Sequence, residues 1–571
     1  MNPIIPGFHP DPSVCRVGDT YYLACSSFEY LPGIPVFRST DFAEWELIGH
    51  VAERAGQLSV RETPTMGGAW APTLRHHDGV FHLIVTDAVG GRGNVVFTAE
   101  DPAGPWSDGI VLEGLDGIDP DLAWTASGDC YVTFSGLKLD LTVGKPVHLG
   151  IQQVRVDLAT GELLEEPRSV WSGTGGMFPE APHLYEIDGV WYLMIAEGGT
   201  ERGHSVTIAR GPGPEGPFEP CPHNPLVTAR GTDRPVQNTG HGDLVQLVDG
   251  SWAMVLLGTR PRSMTRAFAP MGRETHATPV TWADGWPYAS PVVLGAPQPG
   301  LAWTDDFNSE ELDPRWLAVR RFASAFADLR VRPGWLRLRH DGHGIDDLTP
   351  VFVGRRQERE HQRFEATLDV SAGTGGLAIR YAENYYLAIE AGPAPGSPSS
   401  SSSPSSPSSP SSPGSSGSSG SPRGEVRGRF VLPTLTKEWS APLTGDVVHL
   451  SITADTDSAP TSCDLLRLGY RDATGEWREL AAVDGRFLST EVAESFTGRV
   501  AGVYAASGVV DIDVVSSTGR DVVRPAAPSE PVLSPAAPSE PVLSPAAPSA
   551  PSPSVVPAAP SALASSEGDA Q

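Results

Sequence analysis

The chain lacks any apolar run approaching membrane-spanning length, and no basic segment followed by an apolar stretch precedes its first motif, which begins almost at Met1. These absences predict a chain with neither a membrane span nor a secretory signal. Cysteine is scarce: Cys15, Cys25, Cys130, Cys221 and Cys463 are odd in number, scattered and without paired metal-ligand spacing. Free thiols in a reducing, cytoplasmic compartment are therefore expected. Positive charge is also short, with 41 Lys and Arg against 69 Asp and Glu and a formal net charge of -28. Such a balance repels phosphates and anionic headgroups, so no nucleic acid and no membrane is expected as a partner, and a neutral small molecule fits better. The 571 residues, 39% of them hydrophobic, allow several domains with sizeable cores.

What is present is a repeat. Similar stretches open at Asp11 (DPSVCRVGDTYYLACSS), Ala71 (APTLRHHDGVFHLIVTD), Asp119 (DPDLAWTASGDCYVTFS), Ala181 (APHLYEIDGVWYLMIAEGG) and His241 (HGDLVQLVDGSWAMVLLGT). Each sets two alternating apolar segments around a turn: Gly18-Asp19, Asp78-Gly79, Gly128-Asp129, Asp188-Gly189 and Asp249-Gly250. Repeats roughly 50 to 60 residues apart with several strands each read as propeller blades. The second segment, such as Trp191-Tyr192-Leu193-Met194-Ile195-Ala196, is almost wholly apolar and should be buried between blades. The first strand of each blade should line a narrow central channel.

Three acidic motifs sit at or near the starts of these repeats: Asp11 in His9-Pro10-Asp11-Pro12-Ser13, Asp119 in Gly117-Ile118-Asp119-Pro120-Asp121-Leu122, and Glu180 in Phe178-Pro179-Glu180-Ala181-Pro182-His183. Occupying equivalent places in a repeated unit, they are expected to converge on one site. With Trp70-Ala71-Pro72 and Gly272-Arg273-Glu274-Thr275, the set resembles the inverting glycoside hydrolases of family 43, in particular the two-domain β-xylosidase/α-L-arabinofuranosidase branch. The resemblance covers roughly residues 2 to 515. An inverting glycosidase uses one protonated carboxyl to protonate the departing oxygen and one carboxylate to activate water, roughly 6.5 to 9.5 Å apart. The resemblance implies Asp11 as general base, Glu180 as general acid, and Asp119 as the group that orients the acid and raises its pKa. A carboxylate close to Glu180 does disfavour its ionisation.

The resemblance also implies substrate-binding roles. Arg273 matches an arginine that hydrogen-bonds the sugar, and its guanidinium could equally hold a carboxylate ionised. Trp70, Phe28 and Thr200 match residues that wall the sugar pocket, where aromatic faces pack on a pyranose. For Phe28 the alternative is blade core. His241 matches a histidine near the channel centre that holds a water or, in some members, a calcium ion; the alternative is an ordinary buried histidine. The expectation is no cofactor and no metal, with calcium near His241 left open. Asp121 departs from the many relatives that carry Ser there.

The fold class read from these patterns is all-β, a five-bladed β-propeller (residues 1–295) followed by a C-terminal β-sandwich (residues 301–518). The sandwich opens after Ala296-Pro297-Gln298-Pro299-Gly300, and its alternating segments include Trp335-Leu336-Arg337-Leu338, the seven residues from Phe364, and Val447-Val448-His449-Leu450-Ser451-Ile452. In the resembling branch a sandwich loop closes one side of the pocket, and Phe496 matches its inserted aromatic; the alternative is sandwich core. The Ser/Pro-rich insertion at 393–424 and the Pro/Ala/Ser-rich tail at 524–571 read as disordered. The expected function is an exo-glycosidase releasing non-reducing terminal β-D-xylosyl and/or α-L-arabinofuranosyl residues from short hemicellulose-derived oligosaccharides, with inversion. The oligosaccharide is the expected partner, and a homo-oligomer is left open. Two alternatives stand beside it: a noncatalytic sugar-binding propeller, and a five-bladed fructan hydrolase. The Asn-Asp-Pro-Asn and Arg-Asp-Pro segments of the latter are absent.

Overall fold

The computed structural model describes residues 2–140, 145–295, 300–393, 424–459, 462–473 and 475–522. Five antiparallel sheets come first, each taking its four core strands in sequence order from one continuous stretch of chain. Their first strands are Ser13–Val17, Gly68–His77, Gly117–Trp124, Glu180–Ile187 and Gln237–Gln246. Gly18-Asp19, Asp78-Gly79 and Asp188-Gly189 each turn the chain directly between paired strands, and the other two expected turns are slightly longer. The apolar second strands are buried as their composition requires, Val190–Glu197 from Trp191 to its end.

The first strands form the inner ring. Polar side chains on one blade bind the backbone of the next: Leu74 N donates to Ser13 Oγ at 3.0 Å, Leu184 N to Asp121 Oδ2 at 2.8 Å, and Val14 N to Asp243 Oδ2 at 2.9 Å. Among the described residues the first and last blades exchange no full strand, only the single bridge between Ile5 and Thr275. Instead the N-terminal segment is pinned to blade five, with Ile4 N and Ile5 N donating to Thr275 O and His9 N to Arg273 O.

One backbone feature recurs in all five blades. The residues opening the repeats, Asp11, Ala71, Asp119, Ala181 and His241, have φ of 55°, 41°, 54°, 52° and 52°. In blades two to five the pairing register slips across this point. The left-handed conformation is costly for residues other than glycine, and such irregularities re-aim side chains at functional sites. The three carboxylates are not quite equivalent, which corrects the sequence reading: Asp11 and Asp119 occupy the left-handed position, whereas Glu180 precedes it, with Ala181 in that place.

The second half is a two-sheet sandwich around one core that includes Trp316, Leu338, Phe364, Leu377, Leu450 and Val510. Its last strand, Val500–Arg520, belongs to both sheets, pairing with Phe352–Arg356 and Gly373–Ala382 through its first half and with Leu301–Asp305 and His361–Asp369 through its second. The crossing point holds Gly508, at φ 63°, where an added Cβ would lie 2.3 Å from Ala372 O. The expected sandwich segments are observed as strands with shifted or wider bounds: Leu336–Arg339 is displaced by one residue, His361–Asp369 starts earlier, and Val447–Asp455 ends later. Strands Tyr385–Pro393 and Gly424–Leu432 pair with each other, so the Ser/Pro-rich insertion joins two hydrogen-bonded neighbours. Residues 394–423, and the tail from 523 onward, lie outside the described residues.

Sandwich and propeller share a buried apolar seam of Phe8, Phe28, Tyr30, Leu317, Val319, Phe352 and Tyr504. Across it Tyr30–Leu31 pairs with Leu317–Val319. Buried ions cross it too: Arg260 bonds Glu274 in blade five (2.6 Å) and Asp521 after the last sandwich strand (2.8 Å). All five cysteines are free thiols. Among the described residues no helix is long and apolar enough to cross a membrane.

Candidate active site

At the end of the channel marked by the left-handed residues, Asp11 is 5% exposed and held by three neighbours. Ser26 Oγ donates to its Oδ2 at 2.6 Å, and Arg273 donates from Nη1 to Oδ1 at 2.9 Å and from Nη2 to Oδ2 at 3.5 Å. His241 Nδ1 lies 3.5 Å from Oδ1. Burial alone would raise the pKa of Asp11, but the Arg273 cation and these other partners outweigh it and leave the carboxyl below its ordinary value. Burial pushes His241 itself down to about 3, so this imidazole is neutral near pH 7 and Arg273 is the cation that keeps Asp11 ionised.

Asp119 and Glu180 answer to the opposite balance. Asp119 Oδ2 accepts from Ala181 N at 3.2 Å, which places its carboxyl against the residue following Glu180. Burial first and the Asp11 charge second push Asp119 up to about 7. Glu180 is raised well above the ordinary range, chiefly by burial and then by the charges of Asp119 and Asp11. Of the three carboxylates only Asp11 is bonded to the guanidinium, so the site favours the ionised form of Asp11 and the protonated form of Glu180.

Arg273 organises the pocket wall. Its Nη1 also donates to Thr200 Oγ1 at 3.2 Å and its Nε to Phe496 O at 3.3 Å. The guanidinium carbon lies 5.7 Å from the Phe28 ring centroid and 5.2 Å from that of Phe496. Trp70 meets Phe496 edge-on at 5.8 Å, and its Nε1 donates to Met66 O at 2.6 Å. Phe28, only 1% exposed, lies in the seam beneath Arg273 and offers almost no surface to a ligand. Trp70, Thr200 and Phe496 keep partly open faces.

Phe496 reaches the pocket from the sandwich, on a loop fastened to the segment before Arg273. Ala269 N donates to Glu491 Oε2 at 2.7 Å, Thr490 Oγ1 to Ala269 O at 3.0 Å, and Tyr381 OH to Pro270 O at 2.9 Å. The two backbones touch at Gly272 and Gly498: an added Cβ would come within 2.6 Å of Thr497 O at the first and 2.4 Å of Met271 O at the second.

Further along the channel a second ionic cluster fills the axis. Arg75 donates from Nη1 to Asp243 Oδ2 at 2.8 Å and from Nη2 to Asp121 Oδ1 at 2.7 Å, with His183 Nδ1 3.0 Å away. Tyr185 OH donates to Asp243 Oδ1 at 2.6 Å and Ser13 Oγ to Asp243 Oδ2 at 2.8 Å. Asp121, the departure noted in the sequence, is thus a wholly buried structural anion. This filling argues against calcium near His241, because Asp121 and Asp243 already share a guanidinium and Asp11 is held by another.

The residues singled out in the sequence therefore gather in one place. Several neighbours were not anticipated. Ser26 lies near the end of the first repeat without having been singled out there, yet it bonds Asp11 and accepts from Ala71 N at 2.7 Å. His204, its pKa pushed down to about 4 by burial, packs its ring over Gly240 beside His241 and shares a 2.9 Å hydrogen bond with Asn238 O. Asp243 did carry a signal, since it stands at the same repeat position as Ser13 and Asp121.

Comparison with known proteins follows the two halves. The model of glycosyl hydrolases family 43 matches residues 1–287, and that of the beta-xylosidase C-terminal concanavalin A-like domain matches residues 304–397. The chain is 36% identical over 527 residues to a non-reducing end alpha-L-arabinofuranosidase of Bacteroides ovatus, covering 88% of this chain and 90% of that protein. It is 38% identical over 379 residues to a xylosidase/arabinosidase of Butyrivibrio fibrisolvens, covering 62% and 72% of the two. The solved xylan beta-1,4-xylosidase of Bacillus halodurans superposes with a TM-score of 0.78 at 28% identity, over 90% of this chain and 99% of that one.

Proposed function

Because the chain belongs to family 43 of the glycosyl hydrolases, we propose that it is an exo-acting, inverting glycosidase that removes terminal β-D-xylosyl and/or α-L-arabinofuranosyl residues from short xylan-derived oligosaccharides. One observation carries the mechanistic part: a single buried pocket sets an acid held below its ordinary pKa, Asp11, beside one held well above it, Glu180. In this reading Asp11 accepts the proton of a water as that water attacks the anomeric carbon. Glu180 delivers its proton to the glycosidic oxygen as the bond breaks on the opposite face, which inverts the anomeric configuration. Asp119 holds Glu180 in place and raises its pKa. Arg273 keeps Asp11 ionised and, with Thr200, offers donors to sugar hydroxyls, while Trp70 and Phe496 supply apolar surface. No step in this scheme needs a metal or cofactor.

The propeller at 1–295 would carry the catalytic groups, and the sandwich at 301–518 would complete the pocket through Phe496. Hydrolysis of a matched panel of aryl β-xyloside, aryl α-arabinofuranoside, xylobiose and arabino-oligosaccharides tests the activity and ranks the sugars. NMR of the first product before mutarotation tests the stereochemistry. A retained anomer would overturn the roles given to Asp11 and Glu180.

A further inference from the structure

Four charged side chains gather where the sandwich meets blade one, and none of them belongs to the acid set of the pocket. Arg320 directly follows the sandwich strand Leu317–Val319; its side chain is buried and its φ of 60° is left-handed. Its backbone N donates to Glu29 O at 2.8 Å, and Glu29 is itself wholly buried. Arg380, equally buried, and the partly buried Glu383 complete the group, 3.2 Å apart. Ions buried in this way do not stabilise a fold beyond what apolar side chains of similar volume would do. Their bonds show what they hold instead.

Arg320 grips Thr63 to Gly67, a stretch outside any strand that leads into Gly68–His77. Its Nε donates to Thr63 O at 2.6 Å and its Nη2 to Thr65 Oγ1 at 3.0 Å, while Nη1 reaches Glu383 Oε1 at 2.8 Å and Leu348 O at 2.7 Å. Thr65 Oγ1 in turn donates to Glu383 Oε2 at 2.5 Å, and Met66 N donates to Glu29 Oε2 at 3.2 Å. Met66 is thereby held at φ 74°, a left-handed conformation that is costly for a methionine. Its carbonyl is the one that accepts from Trp70 Nε1 at 2.6 Å. The strand ladder gives Trp70 less definition, because the register slips directly after it.

We propose that Arg320 is a positioning residue for the sugar pocket: from the sandwich it fixes the 63–67 segment and, through Met66 O, the placement of the Trp70 ring. The proposal rests on the reading of Trp70 as a pocket wall. The path is short, running from Arg320 to Thr65, along the backbone to Met66, and from Met66 O to the indole. A guanidinium suits this task, since its planar fork reaches Thr63 O, Thr65 Oγ1 and Glu383 at once. An ammonium in the same place would keep the charge but lose the fork, and the segment would be released. Trp70 also meets Phe496 edge-on, so the sandwich addresses this one aromatic from two sides.

The test is a double-mutant cycle in the full chain, with KM and kcat measured on whichever glycoside of the panel is cleaved fastest, for Arg320→Lys, Trp70→Ala and the pair. Arg320→Lys is expected to raise KM on the order of fivefold with kcat much less affected, and to add nothing further once Trp70 is replaced. Losses that simply add in the double variant would overturn the proposal, as would a loss confined to kcat. Thr65→Ala should act like Arg320→Lys, and Thr65→Ser should restore the wild-type KM, so the cycle can be run at Thr65 if Arg320→Lys does not fold. A serine as damaging as alanine would overturn the path through Thr65. Hydrogen exchange reads the same grip without turnover: the amides of Met66 and Gly67 should lose protection in Arg320→Lys, and unchanged protection would overturn the grip. A wild-type chain that cleaved no glycoside of the panel would instead overturn the exo-glycosidase reading, and exchange alone would then decide the hold of Arg320 on the segment.

Discussion

The propeller axis carries two clusters of acids built on the same plan and held to opposite ends. In the inner one, Asp121 and Asp243 share Arg75, and each carboxylate is further satisfied by a backbone N–H. Arg75 holds Asp243 far below the ordinary carboxylate range against the effect of burial. In the pocket, Arg273 bonds Asp11 alone of the three carboxylates. Asp119 and Glu180 have too few donors, and their pKa values rise. Two places along each repeat separate the clusters, since Asp119 and Asp121 are neighbours but one. The number of donors per carboxylate, rather than burial, decides which cluster is inert and which is primed for proton transfer.

That contrast can be broken at either end. Asp11→Asn keeps an acceptor for Ser26 and Arg273 but removes the base, so turnover should fall about 100-fold to 10,000-fold with an unchanged circular dichroism spectrum. Near-wild-type turnover would take Asp11 out of the chemistry. Glu180→Ala should lose a similar factor on xylobiose but far less on a nitrophenyl glycoside, whose phenolate leaves with little help. Equal losses on the two substrates would make Glu180 a binding residue.

The inner cluster should fail as structure instead. Arg75→Met strands two buried carboxylates and should cost about 3 to 5 kcal/mol in denaturant unfolding. Because the pKa of Asp243 is depressed in the fold, its stabilisation is present above the unfolded value of about 4 and is lost as pH falls through the lower folded value. Wild-type stability measured against pH should therefore hold down to mild acid, and the variant should lack this dependence. In the pocket the sign reverses. A carboxyl whose pKa is raised by folding opposes stability increasingly as pH climbs above its unfolded value, so Glu180→Gln should stabilise the fold near pH 8 by about 1 kcal/mol while activity is lost. A lowered melting temperature would show that Glu180 is not under the strain argued here. The smallest effect belongs to Asp119→Asn. Without that neighbouring charge Glu180 ionises more easily, and the basic limb of the pH–rate profile should move to lower pH. A limb that stayed in place would take Asp119 out of the causes and leave burial and the Asp11 charge.

The repeat made the blades, their turns and the convergence of Asp11, Asp119 and Glu180 legible, because a strand-turn-strand pattern is local. The one-residue offset of Glu180 stood in the aligned repeats, which open at Asp11, Asp119 and Ala181, but its meaning was not legible, since it depends on which residue takes the left-handed conformation. Arg75 escaped notice because its repeat position is otherwise filled by Cys15, Ala123, Tyr185 and Val245, with no shared chemistry. Its role comes from the axis, where strands distant in sequence meet. The dual membership of Val500–Arg520 was hidden for a related reason: one strand serving two sheets is defined by its partners. Phe28 was placed in the pocket wall by the resemblance alone, with blade core as the alternative, and only the seam with the sandwich shows that it is covered.

The fastening of the Phe496 loop to the segment before Arg273 sets a timetable for biosynthesis. Every carboxylate of the proposed catalytic set lies within the first 180 residues, and the last blade ends at Ala289. The aromatic that finishes the pocket, the Glu491 carboxylate that secures it and the Asp521 that meets Arg260 all come from the far end of the folded chain. At about 5 to 20 residues per second, a ribosome needs on the order of tens of seconds to pass from the last blade to that point. Through that interval the nascent propeller displays an uncovered apolar seam and an unfinished pocket. Catalytic competence would then arrive late and abruptly, when Val500–Arg520 threads both sheets, and synchronised translation in the presence of a chromogenic glycoside would time that moment.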